Sequence, residues 1–295
     1  MLYSQPLVSV VIPCYNHERF VQDAIQSVID QSYENIELII IDDGSKDSSV
    51  LKIKEMVEIC EQRFVRFEFR SRANIGLSAT LNEAVKWCKG KYFSALASDD
   101  QMLNYKTSMQ VKYLENNSSF VAVFGGVQLI DEDNKKLEKL VSKARSYTFK
   151  DIIMHKHDLL APTQMIRKET IKEVGGYDSN LFIEDWYMWL LLSEEGNIFS
   201  MNEIFALYRQ HDNNISKNLA KMHEGRLKVL ESFRNHPLYE EALININWYN
   251  EVEWFSKDKD FKGFLTIFRK NPKKTMILII ESLKYRYNRL LNECK

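Results

Sequence analysis

The chain has 295 residues, 45% of them hydrophobic and 27% charged, with a formal net charge of −1. That length holds one large domain with an appendage, or two domains, and the composition excludes a disordered chain. The near-zero charge argues against a dedicated nucleic-acid binder, so no nucleic-acid partner is expected.

Leu7-Val8-Ser9-Val10-Val11-Ile12 is a β-branched run halted by Pro13 and reads as a buried strand. Pro13-Cys14-Tyr15-Asn16 follows it, and an aromatic at a strand's carboxyl end can stack on a nucleobase. A turn with a half-buried tyrosine is the plain alternative. Between Glu18 and Ser32, Phe20, Val21, Ala24, Ile25, Val28 and Ile29 keep helical spacing.

Residues 36–41 form a second strand that runs into Asp42-Asp43-Gly44-Ser45. Gly44 permits a tight exit, and one carboxylate can accept hydrogen bonds from a base or ribose. Ordinary turn punctuation is the competing account. Asp47 is expected to cap a helix reaching about Glu61. Val65–Phe69 reads as a strand, Leu77–Cys88 as a helix and Tyr92–Leu96 as a fourth strand.

A second acidic pair, Asp99-Asp100, follows that strand. A divalent cation bridging a carboxylate and diphosphate oxygens would offset the charge of a departing diphosphate. A cap on the helix near Tyr105 would also explain these aspartates. The strand–helix alternation implies a parallel sheet covered on both faces, with ligands beyond the carboxyl ends of its strands.

The helix at about 105–116 and the run Val121–Phe124 continue the pattern, but residues 131–160 are polar with few clear periods. Glu184 and Asp185 open an apolar, helix-like stretch through Leu190. Capping through the helix dipole is the plain reading, and a general base among aromatics is the functional one. From about residue 217 the pattern is helical.

Taken in order, these segments resemble the inverting nucleotide-sugar glycosyltransferases of family two, from about Val8 to Ser216. Further elements of the resemblance are Arg72-Ala73-Asn74-Ile75-Gly76-Leu77-Ser78 with Asn82, Ala161-Pro162-Thr163, and Val174-Gly175-Gly176-Tyr177-Asp178. Glu184-Asp185-Trp186 and Tyr208-Arg209-Gln210-His211 complete it. The resemblance implies a GT-A, Rossmann-like, mostly parallel α/β sheet flanked by helices, with a helical C-terminal extension. Residues 1–216 would be the catalytic domain, 1–125 its nucleotide-sugar half and 126–216 its acceptor half, with 217–295 the extension.

By the same resemblance, Pro13, Tyr15, Asn16, Asp43, Asn74 and Gly76 belong to the nucleotide site, with Asp42 structural. Asp99 would touch the ribose or sugar, and Asp100 would coordinate Mg²⁺ or Mn²⁺. His211 would bind the metal or the diphosphate, a surface-loop histidine being the alternative. Asp185 would deprotonate the acceptor hydroxyl, with Glu184 and Trp186 on the acceptor side. Leu81 and Leu190-Leu191-Leu192 stand where many members carry arginine, so Arg72 or Lys106 is expected to serve the phosphates instead.

The implied partners are a nucleotide-sugar donor, UDP foremost, and a glycan or polyprenyl-diphosphate-linked acceptor of bacterial surface polysaccharide. The sequence leaves the oligomeric state open. A nucleotidyltransferase is a weaker reading, because no glycine-rich phosphate loop follows the first strand. A catalytically degenerate binding subunit is opposed by the intact acids.

Residues 257–295 hold 11 Lys+Arg against 4 Asp+Glu, a net of +7 that leaves the first 256 residues at −8. Met276, Ile280, Leu283, Tyr287 and Leu290 share one helical stripe there, suited either to an anionic inner-membrane surface or to packing on protein. Cys14, Cys60, Cys88 and Cys294 lack metal-ligand spacing and read as reduced thiols. No secretory leader or run of about 18 apolar residues is evident. A cytoplasmic protein is expected, peripheral to the inner face of the membrane if the tail binds it.

Overall fold

The computed structural model describes residues 5–212, 214 and 217–258, and the chain divides into two units between Lys217 and Asn218. The first unit is built on strand β1 (Val8–Cys14), with β2 (Ile36–Asp42) and β4 (Tyr92–Ala95) on either side and β3 (Arg66–Ser71) outside β2, all parallel. Both faces of this sheet half are covered, so β1 and β2 are almost wholly buried. Val8, Val10 and Ile12 pack with Ile36, Leu38 and Ile40 against the apolar stripe Val21, Ala24, Ile25 and Val28 of α1 (Val21–Ile29).

Pairing of Cys14 with Asp42 and of Val11 with Ala95 brings the carboxyl ends of the three central strands to one edge. Strand order reverses at β1, which opens the crevice where ligands bind in such sheets. Both aspartate pairs lie along that edge.

The remaining strands are β5 (Gln101–Met102), β6 (Phe120–Ile130), β7 (Lys136–Leu140), β8 (Arg145–Tyr147), β9 (Met165–Arg167) and β10 (Asn197–Arg209). The main order is β3-β2-β1-β4-β9-β6-β10-β5, with β7 on β6 and β8 on β10. The parallel character belongs to the first half of this order. Beyond β4 the sheet is mixed: β9 runs antiparallel to both β4 and β6, whereas β10 runs parallel to β6.

The expected helix from Asp47 to Glu61 is two helices, α2 (Ser49–Lys54) and α3 (Val57–Arg63). The N-cap is Ser48 rather than Asp47, and Asp47, one residue earlier, accepts from the amide and hydroxyl of Ser49. Helices α4 (Leu77–Trp87) and α5 (Lys106–Asn116) lie within a residue or so of expectation. The polar stretch 131–160 contains β7, β8 and α6 (Phe149–Ile153), and α7 (Lys168–Glu173) follows β9. The strands β7 and β8 escape notice because they are short and largely exposed, with no apolar alternation.

Helix α8 (Glu184–Glu195) buries Trp186, Met188, Trp189, Leu190 and Leu192. Leu81 is buried as well, so of the positions that lack the family's arginines Leu81, Leu190 and Leu192 are core positions, and Leu191 is half-buried.

The second unit, in its described part, is a helix pair, α9 (Leu219–Glu231) and α10 (Tyr239–Asp258). Its interior holds Arg226, which donates to Asn250 and Glu253. The amphipathic basic tail expected over residues 270–295 lies outside the described residues. No helix among the described residues is long and apolar enough to cross a membrane.

Candidate active site

Three loops meet at the carboxyl edge of β1, β2 and β4. The first leaves β1 at Cys14 and turns on Asn16, whose φ of +56° is a left-handed conformation that asparagine tolerates. Asn16 is stitched to the second loop: its amide donates to Ser45 Oγ at 2.9 Å and its Oδ1 accepts from the Lys46 amide at 2.7 Å. Pro13 is half-buried, while Tyr15 is 46% exposed, leaving its ring open to a stacking partner.

The second loop carries the first aspartate pair. Asp43 is buried and accepts from the amides of Ile75 and Gly76, each at 2.9 Å, and from Arg72 Nη1. Arg72 is held further by Glu83 Oε2 at 2.8 Å and by Thr80 Oγ1 at 2.9 Å. Gly44 sits at φ +77°, and a Cβ there would come within 2.7 Å of the Asn74 amide nitrogen, so only glycine suits this turn. Asn74 itself is exposed. Asp42 Oδ1 accepts from the Ser45 amide and the Ser71 hydroxyl, whereas its Oδ2 is buried without a partner.

The third loop carries Asp99 and Asp100. Asp99 Oδ2 lies 2.9 Å from His211 Nε2, and Oδ1 lies 3.9 Å from His17 Nδ1. One ligand atom from each of His17, Asp99 and His211 falls within 4.8 Å of the other two. Two secondary contacts orient His17. Its Nδ1 is 2.7 Å from Ser98 Oγ, and its backbone amide donates to Ser49 Oγ at 2.9 Å. Burial lowers the His17 pKa against the opposing pull of the Asp99 charge, which favours the neutral ring that can act as a ligand.

Asp100 is outside this triad. Its carboxyl is buried, its Oδ1 accepts from the Arg209 backbone amide at 2.9 Å, and burial together with the Asp99 charge pushes its pKa up. The two expected roles meet different surroundings: the imidazoles gather on Asp99, the residue expected at the sugar, and Asp100, expected at the metal, ties the turn to β10. In the sequence His17 is a lone histidine beside the Pro-Cys-Tyr-Asn segment. The signal was only its position, two residues past the tyrosine at the end of the central strand.

The expected phosphate cations are also differently employed. Arg72 is committed to Asp43, Glu83 and Thr80. Lys106 is fully buried, donating to Ser94 Oγ at 2.6 Å and to the Gln164 carbonyl at 3.1 Å, and burial lowers its pKa to about 7.

A separate acidic pair opens α8. Asp185 Oδ1 accepts from the Trp186 amide at 2.7 Å, and Trp186 Nε1 donates to the Ile152 carbonyl. Burial raises the pKa of both Glu184 and Asp185, and the Asp185 charge raises Glu184 further. Asn82 clasps the backbone of Tyr177 on both sides, donating to its carbonyl at 2.7 Å and accepting from its amide at 2.8 Å. A Cβ on Gly176, at φ +84°, would come within 2.5 Å of Asn82 Oδ1. That clasp gives a physical reason for the Asn82 and Gly-Gly-Tyr-Asp elements, which lie about a hundred residues apart.

Residues 9–175 match the sequence profile described as Glycosyl transferase family 2. The chain belongs to that family. This glycosyltransferase is 31% identical over 266 residues to an uncharacterised glycosyltransferase of Methanocaldococcus jannaschii, covering 88% of this chain and 86% of the other. It is 31% identical over 216 residues to the putative teichuronic acid biosynthesis glycosyltransferase TuaG of Bacillus subtilis, covering 72% and 83%.

A third relative is the Escherichia coli enzyme WfgD, a UDP-Glc:alpha-D-GlcNAc-diphosphoundecaprenol beta-1,3-glucosyltransferase. It is 28% identical over 235 residues, covering 79% of this chain and 88% of the relative. The chain spans only 35% and 40% of the related glycosyltransferases of Rickettsia bellii and Rickettsia felis.

Among solved structures, Staphylococcus aureus TarS with UDP-GlcNAc superposes with a TM-score of 0.66 at 14% identity, over 91% of this chain and 82% of the other. The Pyrobaculum calidifontis mannosyltransferase PcManGT, with GDP-Man and Mn²⁺, superposes with a TM-score of 0.61 at 11% identity, over 97% and 88%. At such identities the likeness speaks for the GT-A fold.

Proposed function

We propose that this glycosyltransferase inverts configuration, depends on a divalent cation, and moves a sugar from a UDP-sugar to a hydroxyl of a lipid-linked glycan. The observation that carries the reading is the His17–Asp99–His211 triad at the edge of the central strands. The named specificity of WfgD and the teichuronic acid role of TuaG support a surface polysaccharide as the product. A cytoplasmic site of action fits such a donor, and residues 1–216 would be the catalytic domain, with 217–295 a helical region.

A carboxylate with two imidazoles is softer than the all-oxygen shell that Mg²⁺ prefers, so of the two expected ions Mn²⁺ suits the set better. Bound there, the cation supplies charge neutralisation to the diphosphate leaving group. Tyr15 offers its exposed ring to the base, and Asp43 holds the Ile75–Gly76 amides that shape the pocket wall. Asp185, raised in pKa by burial, takes the proton of the acceptor hydroxyl as that oxygen attacks the anomeric carbon. Trp186, fixed by its hydrogen bond to Ile152, keeps the start of α8 in place.

The test incubates the full-length protein with UDP-sugars, Mn²⁺ and a polyprenyl-diphosphate-linked acceptor, and reads the product anomer by NMR. Inverted configuration, with loss of transfer in excess chelator, is expected. Retained configuration, or transfer indifferent to chelator, would overturn the reading.

A further inference from the structure

Arg209 ends β10 with its side chain fully buried, and a buried arginine is rare unless its donors are satisfied. Here every nitrogen has a partner. Nε donates to the Asp99 carbonyl at 2.8 Å, and Nη1 to the carbonyls of Asp131 and Glu132 at 3.1 and 3.2 Å. Nη2 donates to Asp23 Oδ2 at 3.1 Å and to Asn134 Oδ1 at 2.9 Å. The guanidinium also lies 4.5 Å from the centroid of the Phe20 ring, which sits 5.4 Å from the ring of His211.

One residue thus ties together the Asp99-Asp100 turn, the 131–134 turn and α1. Its backbone amide grips the Asp100 carboxyl while its side chain grips the Asp99 carbonyl. Two residues further on, His211 meets the Asp99 carboxylate at 2.9 Å. Asn214 braces this stretch, donating to the Arg209 carbonyl at 3.1 Å and accepting from the His211 amide. Both the carboxylate and the imidazole of the triad are therefore located from the same residue. Three of the five side-chain acceptors are backbone carbonyls, so the fork shape of the guanidinium matters here and not only its charge.

The geometry points to Arg209 as the positioning residue of the cation site, setting the spacing between Asp99 and His211 before any donor arrives. This inference rests on the metal reading above. It assigns the arginine of the Tyr-Arg-Gln-His segment to the architecture of the site rather than to the diphosphate.

The experiment measures Mn²⁺ binding to the full-length, nucleotide-free protein by the electron paramagnetic resonance signal of the free ion, well below each variant's melting temperature. Arg209→Lys keeps the charge and loses the fork, and is expected to weaken Mn²⁺ binding by about 10–100-fold, as loss of a residue that orients metal ligands typically does. Asn134→Ala, at an exposed residue, removes one acceptor and is expected to weaken binding less, in the same direction.

Arg66→Lys disturbs a different partly buried network, that of Glu37, and is expected to lower the melting temperature without moving Mn²⁺ affinity. Should Arg209→Lys fail to fold, Asn134→Ala and Asp23→Asn carry the comparison. Unchanged Mn²⁺ affinity in folded Arg209→Lys, or in both milder variants, would overturn the inference while leaving the metal reading intact. Failure of the parent protein to bind Mn²⁺, with or without UDP, would sink the metal reading and this inference with it.

Discussion

The two aspartate turns flank the same central strand and look alike in sequence, yet they solve the problem of adjacent negative charges in different ways. At Asp42-Asp43 the charge of Asp43 is offset within the fold, by Arg72 and the Ile75 and Gly76 amides. At Asp99-Asp100 the guanidinium of Arg209 is taken up by three backbone carbonyls, one of them that of Asp99, and by the side chains of Asp23 and Asn134. The Asp99 carboxylate faces two imidazoles instead. A carboxylate held by fixed donors builds a wall, and one left among potential ligands can take a cation. The acids opening α8 are a third case, with no cation among the groups that shift them, and burial raises both.

The contrast breaks first if the wrong turn proves to be the sensitive one. Asp99→Asn is expected to lower the turnover number by about 10²–10³, the usual scale for removing one electrostatic element of an active site. Asp43→Asn should act mainly on the donor KM, with turnover little changed, as loss of uniform binding does. Steady-state kinetics on both variants decide it, and the reverse pattern would collapse the distinction.

A smaller effect concerns stability. Arg72→Ala leaves Asp43 and Glu83 without their shared cation, and a cost of about 3 kcal/mol is expected from a pair so little exposed. Urea unfolding measures it, and a loss below about 1 kcal/mol would class the contact with ordinary surface pairs.

The acids of α8 sharpen the comparison through pH. A general base works when deprotonated, so activity should fall as pH drops through the raised Asp185 pKa. The acid limb of kcat/KM should then lie above the ordinary aspartate range of about 4. A limb at or below that range would argue against Asp185 as the base.

A further effect on stability is at Lys106, a buried amine with neutral partners only. Its pKa falls to about 7 from 10.5, so between those values the unfolded chain binds a proton that the folded chain does not. Stability should therefore rise with pH across that window. Lys106→Met should flatten this slope, as read from denaturant midpoints at pH 7 and pH 9.5, and parallel curves would contradict the account.

The first half of the sheet was legible because parallel, doubly covered strands such as Ile36–Asp42 are continuous apolar runs. The acidic turns were legible because they close those runs. The different surroundings of Asp99 and Asp100 were not, because they depend on Arg209, more than a hundred residues away, and on which carboxyl its backbone amide reaches. His17 was missed for a similar reason, since its meaning comes from Asp99 across the strand edge. The strands β7 and β8 were hidden by their polar, exposed sequences, and Leu81 and Leu190 read as departures from a family pattern although they pack in the core.

The most direct test titrates Mn²⁺ into nucleotide-free Asp99→Asn and Asp100→Asn proteins side by side. The account predicts that Asp99→Asn loses Mn²⁺ binding, while Asp100→Asn, whose amide oxygen can still accept from the Arg209 backbone, binds it far better. Loss of Mn²⁺ binding in Asp100→Asn with retention in Asp99→Asn would return the metal to Asp100 and contradict the account.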